Sequence, residues 1–132
     1  MTKHEQREKL FQLTFMLDFY EKQEYAEQMD LFRRLYMAQN QEDFEVVKGR
    51  CEKLMAAQGE IDMVISEIST GWPIGRLGKA ELAILRVAVY EILHDDEIPA
   101  SVAINEAVEL SKAYGSDNAY SFVNGVLAKL AR

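Results

Sequence analysis

Residues 85–127 read LRVAVYEILHDDEIPASVAINEAVELSKAYGSDNAYSFVNGVL. Three apolar runs at helical spacing are parted by two short breaks. The first run belongs to a helix predicted from about Lys79 to His94, with Leu82, Leu85, Val89 and Ile92 turned inward. Asp95-Asp96-Glu97 ends it, and Pro99 pre-sets the first turn of the next helix. That helix carries Val102, Ala103, Ile104, Ala107, Val108 and Leu110 and stops at Gly115, a residue type suited to the position just past a helix end. Ser116 or Asp117 is expected to cap the last helix, which carries Phe122, Val123, Val126, Leu127 and Leu130. Nothing here alternates with the period of two that a strand needs.

Upstream, TGWPIGRLG at 70–78 holds three glycines and Pro73 and divides two helical halves. It is too short for a domain linker, and Trp72 is expected to be anchored in the core. The first half opens with a helix predicted from about Lys3 to Tyr20, with Leu10, Leu13 and Leu17 on one stripe and Phe11 and Phe15 beside it. A second, from about Tyr25 to Met37, offers Met29, Phe32, Leu35 and Tyr36 as its apolar face. A third begins near Glu42 with Phe44, Val47, Cys51, Leu54 and Met55 at helical spacing. Gly59 is expected to end or bend it before a short fourth helix carrying Ile61, Val64, Ile65 and Ile68. The fold class is therefore all-α, a compact bundle of about six to seven helices.

Composition agrees. In 132 residues there are only two prolines and seven glycines, and the remainder is rich in good helix formers. A chain of this length buries a core without disulfides or metals. The single cysteine, Cys51, excludes an internal disulfide and suits a reducing cytosol, so a cytoplasmic protein is expected. No signal-like segment or run of about 18 apolar residues is present, which excludes the exported and membrane-spanning classes. The net charge of −7 is spread over both halves. Phosphate binding needs Lys and Arg, so nucleic acid is bound only through a local basic patch.

The inventory for catalysis is poor. His4 and His94 are far apart in sequence, and neither stands at a metal-ligand spacing. They read as surface residues, and Cys51, on an apolar stripe, reads as a small core hydrophobe. The glycines at 71, 75 and 78 match neither phosphate-loop spacing, and no strand precedes them. No cofactor, metal or catalytic residue is expected. Asn105 and Glu106, inside an apolar helical run, are conspicuous because burying such groups is costly unless they are paired. Arg86 on the neighbouring helix is the expected partner of Glu106, a structural pair that fixes helix register. Gly125, mid-helix, costs about 1 kcal/mol relative to Ala and suggests close approach of another helix or a ligand.

The quoted stretch closely resembles the C-terminal half of the NusB transcription antitermination family. The resemblance rests on the L-R-x-A-x-Y-E helix at Leu85–Glu91, on Ile98-Pro99, and on the A-I-N-E-A run at Ala103–Ala107 with Lys112 and Gly115. Phe122-Val123-Asn124-Gly125-Val126-Leu127 completes it, and W-P-I-x-R-L at 72–77 fits the approach to that half. The N-terminal half matches only loosely, through the start of the first helix and Arg7-Glu8.

The resemblance implies one RNA-binding domain over residues 1–132, built of two packed helical subdomains at about 1–70 and 76–132. It implies an adaptor, not an enzyme, which with NusE, a small-subunit ribosomal protein, binds single-stranded boxA RNA in nascent ribosomal RNA transcripts. This assembly serves the RNA polymerase antitermination complex; neither DNA nor a membrane is a partner. The family's RNA contacts begin in an Arg-rich first helix. Here that stretch is KHEQREK, leaving Lys3, His4, Arg7 and Lys9 with two glutamates among them. Ser116, Asn118 and Phe122 match the other side of the family's RNA surface, and Phe15 and Glu81 fall where the family meets NusE or the RNA nearby. Phe15 also reads as core, and Glu81 as a first-turn acid favoured by the helix dipole. Two other functions are weighed. In the first, the chain is the RNA-binding domain of an RNA cytosine methyltransferase, although it stops at Arg132 with no room for a catalytic domain or S-adenosylmethionine site. In the second, it is a protein-interaction module that has lost RNA binding.

Overall fold

Helix formation begins at Thr2. Its hydroxyl accepts from the Glu5 N–H at 3.1 Å, and the Glu5 carboxylate accepts from the Thr2 N–H at 2.9 Å. This capping box satisfies two donors that a helix start leaves open. The computed structural model describes residues 1–131. Among them are seven α-helices and no strand: α1 Lys3–Leu17, α2 Tyr25–Tyr36, α3 Gln41–Ala56, α4 Gln58–Ile68, α5 Lys79–His94, α6 Ala100–Tyr114 and α7 Ala119–Leu127. No helix among the described residues is long and apolar enough to cross a membrane.

The chain forms two compact units, dividing after Met55. The first holds α1 to α3. Leu10, Phe11, Leu13 and Leu17 of α1, Met29 and Phe32 of α2, and Phe44, Val47, Cys51 and Leu54 of α3 are buried. The Thr14 hydroxyl lies 3.9 Å from the Cys51 thiol, and the Gln6 amide donates to Asp43 at 2.6 Å, so α1 is tied to α3 at two levels. The apolar face expected of α2 is only half used. Leu35 and Tyr36 lie outward at 62% and 58% exposure.

In the second unit α5 is the central helix. Every residue from Leu82 to Glu91 is buried, as befits a helix covered on all sides, and α4, α6 and α7 all pack on it. The sequence-expected division at 70–78 therefore becomes a loop inside one unit. The physical reason is the buried stripe Ile61, Ile65 and Ile68, which commits α4 to α5. The break between α3 and α4 falls at Ala57, not Gly59, which sits in the first turn of α4.

Several polar expectations are corrected. Spacing along α6 turns Ala103, Ile104, Ala107, Leu110 and Ser111 inward, leaving Asn105 exposed and Glu106 half-buried, not largely buried. The fully buried carboxylate of this unit is Glu91. The Arg86 guanidinium, 6% exposed with its residue, forks onto Asp62 of α4, a partner the sequence reading did not nominate. Gly115 is extended, not left-handed. It is glycine because a Cβ there would lie 2.7 Å from both the Ala119 Cβ and the Ser111 carbonyl. The left-handed residue is Asn118 at φ 67°, which takes the N-cap position of α7 in place of Ser116 or Asp117. Asn is the non-glycine type that tolerates this best. Gly125 faces open space, and nothing in the structure explains it.

Candidate functional site

The loop between α4 and α5 is laced to its surroundings. The buried Ser69 hydroxyl donates to the Ile65 carbonyl at 2.6 Å, with the Trp72 carbonyl 3.2 Å away, and the Trp72 N–H donates to the Ser69 carbonyl at 2.9 Å. Gly71, at φ 86°, makes the reversal a bulkier residue resists. Lys129, beyond α7, donates to the Ile68 carbonyl at 2.7 Å and the Thr70 hydroxyl at 3.3 Å. The result turns Trp72 outward at 54% exposure, contrary to the expected core anchor.

Beyond this loop lies a cleft of about 230 Å³, lined chiefly by Trp72, Arg76, Glu81, Ser116, Asn118 and Phe122. Glu81, in the first turn of α5, organises its floor. One carboxylate oxygen accepts both the Ser116 N–H at 3.0 Å and the Ser116 hydroxyl at 2.9 Å, joining α5 to the α6–α7 loop. A Cβ on Gly78 would meet this carboxylate, so a larger residue there would push the Glu81 side chain aside. Partial burial pushes the Glu81 pKa up, but the hydrogen bonds from Ser116 and from the Glu81 backbone N–H together outweigh it and hold the carboxyl below its ordinary range. Glu81 is thus an ionised acceptor at neutral pH. On the opposite wall the Phe122 and Trp72 rings meet edge to face, 6.2 Å apart at 75°.

Four candidates of the second unit, Glu81, Ser116, Asn118 and Phe122, are thereby brought to one cleft. The others lie on α1 in the first unit. Lys3 and His4 are exposed in its first turn. Lys9 is half-exposed, donates to the Gln12 amide oxygen at 3.3 Å and stands 5.9 Å over the Tyr36 ring. Arg7 is only 6% exposed and already engaged, which sets it apart from an open phosphate donor. Phe15 is half-buried between Phe11 at 6.2 Å and the exposed Phe19 at 5.3 Å. Sequence reasoning missed Trp72 and Arg76 as lining residues. The available signal was a large aromatic in a glycine-rich loop with an arginine four residues on.

The NusB family profile matches residues 4–132. A transcription antitermination protein NusB from Agathobacter rectalis is 45% identical over 131 residues, covering 99% of this chain and 100% of that protein. Its counterpart from Listeria monocytogenes is 35% identical, with 99% and 97% covered. Among solved structures, NusB of T. maritima superposes with a TM-score of 0.86 at 26% identity, covering 99% of this chain and 91% of that one. A chain from a complex of antitermination factors NusB and NusE with double-stranded RNA gives 0.78 at 26% identity, with 98% and 97% covered.

Proposed function

This chain belongs to the NusB family, and from that premise we propose that it is a transcription antitermination adaptor that catalyses no reaction. With NusE it binds single-stranded boxA RNA of nascent ribosomal RNA transcripts and carries it into the RNA polymerase antitermination complex. The observation that carries this reading is the convergence of Glu81, Ser116, Asn118 and Phe122 on one cleft. Bases of single-stranded RNA are read by aromatic stacking and edge contacts, and the cleft offers both a ring and fixed polar groups. The relatives matched nearly end to end are antitermination proteins, which favours the adaptor over the RNA-binding part of a methyltransferase.

The first helix bears on how the adaptor works. Lys3 and His4 are exposed, Lys9 is partly committed and Arg7 is buried. Few phosphates can be neutralised by such a surface, so NusE must supply much of the affinity. A titration with labelled boxA RNA, with and without NusE, tests this. Weak binding with a shallow salt dependence is expected for the chain alone, and much tighter binding with NusE. Asn118→Asp should weaken the ternary complex without moving the melting temperature, because it places a charge where RNA passes. Equal affinity with and without NusE would overturn the adaptor, and absence of RNA binding in both arms would favour a pure protein-interaction module.

A further inference from the structure

We propose that Trp72 supplies a second aromatic face beside Phe122 on which one unpaired RNA base stacks, so that the cleft takes a base and not a phosphate. The inference rests on the RNA-binding reading above and deepens it. Trp72 is more than half exposed, yet its backbone is tied on both sides to Ser69 and its loop is held by Lys129. The ring meets Phe122 edge to face yet stays more than half in water on an ordered loop, so its position is already set before any ligand arrives. The Trp72 and Phe122 rings meet at 75°. An edge-to-face contact uses one ring's face and the other ring's edge, so stacking surface remains open towards the cleft. Its volume of about 230 Å³ is below the ~300 Å³ at which small-molecule pockets begin, and suits one planar ring system.

Charge decides between base and phosphate. The cleft holds one guanidinium, Arg76, against two carboxylates, Glu81 and Asp117. Glu81 keeps its charge, and one of its oxygens is already occupied by Ser116. A phosphate would meet net repulsion. An uncharged base would not, and its N–H edge can donate to a carboxylate lone pair that Ser116 leaves open. Stacking tolerates any base, and Glu81 adds a preference for one presenting a donor towards it.

Trp72 is the single tryptophan of the chain. Labelling the chain with 5-fluorotryptophan therefore gives one ¹⁹F resonance in its complex with unlabelled NusE. Addition of single-stranded boxA RNA should shift that resonance. Trp72→Ala should weaken RNA binding by the NusE complex roughly 5- to 150-fold, the range for loss of one stacked base. Trp72→Phe should stay within a few-fold of the unmodified chain, and serves if the alanine variant melts early. Neither variant should change NusE affinity or the salt slope, because no phosphate is released. In a series of RNAs each lacking one base, a single position should show the weakening already and none further on Trp72→Ala.

A resonance that stays still while RNA binds would overturn the proposal, as would undiminished affinity of Trp72→Ala. A salt slope lowered by about 0.7, the value for one single-strand phosphate, would assign the cleft to the backbone instead. Reduced NusE affinity in the absence of RNA would make Trp72 a protein contact. If the unmodified complex binds no RNA at all, the adaptor reading itself falls, and this inference with it.

Discussion

The Arg86 guanidinium holds the Asp62 carboxylate through two parallel hydrogen bonds, Nε to Oδ1 and Nη2 to Oδ2, each 2.9 Å. The Arg86 side chain is 8% exposed and that of Asp62 27%. The pair bridges the central helix α5 to α4 with the planar geometry that arginine, unlike lysine, provides.

Asp62→Ala should therefore destabilise the protein by about 2–4 kcal/mol, somewhat below the loss for a wholly buried pair because Asp62 is partly solvated. Arg86→Lys should recover little of the bidentate geometry. Chemical denaturation of both variants checks this. A loss of a few tenths for Asp62→Ala would mean that water replaces the carboxylate at no cost.

Glu81 sets an acid limb for the α5 to α6–α7 connection. Its pKa in the folded protein lies below the ordinary 4.5, because partial burial is outweighed by the hydrogen bonds from Ser116 and from the Glu81 backbone N–H. The stabilisation from this clamp is thus fully present above pH 4.5 and is lost as pH falls through the lower folded value. Glu81→Gln should flatten the part of the stability curve that falls below pH 4.5, leaving stability at pH 7 lower than in the unmodified chain. A parallel acid limb in both proteins would assign the titration to other carboxylates.

Lys129 should act as a latch for the loop that bears Trp72. Lys129→Met removes the donor to the Ile68 carbonyl and Thr70 hydroxyl and should cost about 1.5–2 kcal/mol, the lower part of the range for charge-assisted bonds. Indole fluorescence anisotropy should fall as the loop loosens, whereas Lys129→Arg should restore most of it. Unchanged anisotropy in Lys129→Met would show that the Ser69 bonds alone hold the loop.

Cys51 should be inert in the folded protein. Burial pushes its thiol up to about 12, against the smaller opposing effect of the Thr14 hydroxyl. Thiolate is the reactive form, so at pH 8 a thiol reagent should modify Cys51 only through opening of the first unit. The rate should rise steeply in denaturant. Rapid labelling of native protein would contradict the buried position.

How much of this was legible in the sequence differs between levels. The seven helices follow from local chemistry, since the 3.6-residue repeat of apolar side chains and the scarcity of proline and glycine act within each segment. Lys79–His94 was legible to the residue, whereas the capping box at Thr2-x-x-Glu5 went unread although its pattern stands in the sequence. Glu81, Ser116, Asn118 and Phe122 were nameable through the family resemblance, but only packing brought them to one cleft. Tertiary structure alone decided that Trp72 faces out, because hydropathy cannot register the Ser69 and Lys129 bonds that hold its backbone. It alone chose Asp62 for Arg86, 24 residues away, and gave the left-handed turn to Asn118. Periodicity assigns each residue to a side of its own helix. Which distant groups then share a hydrogen bond depends on how the helices cross, a property of several segments together and of none singly.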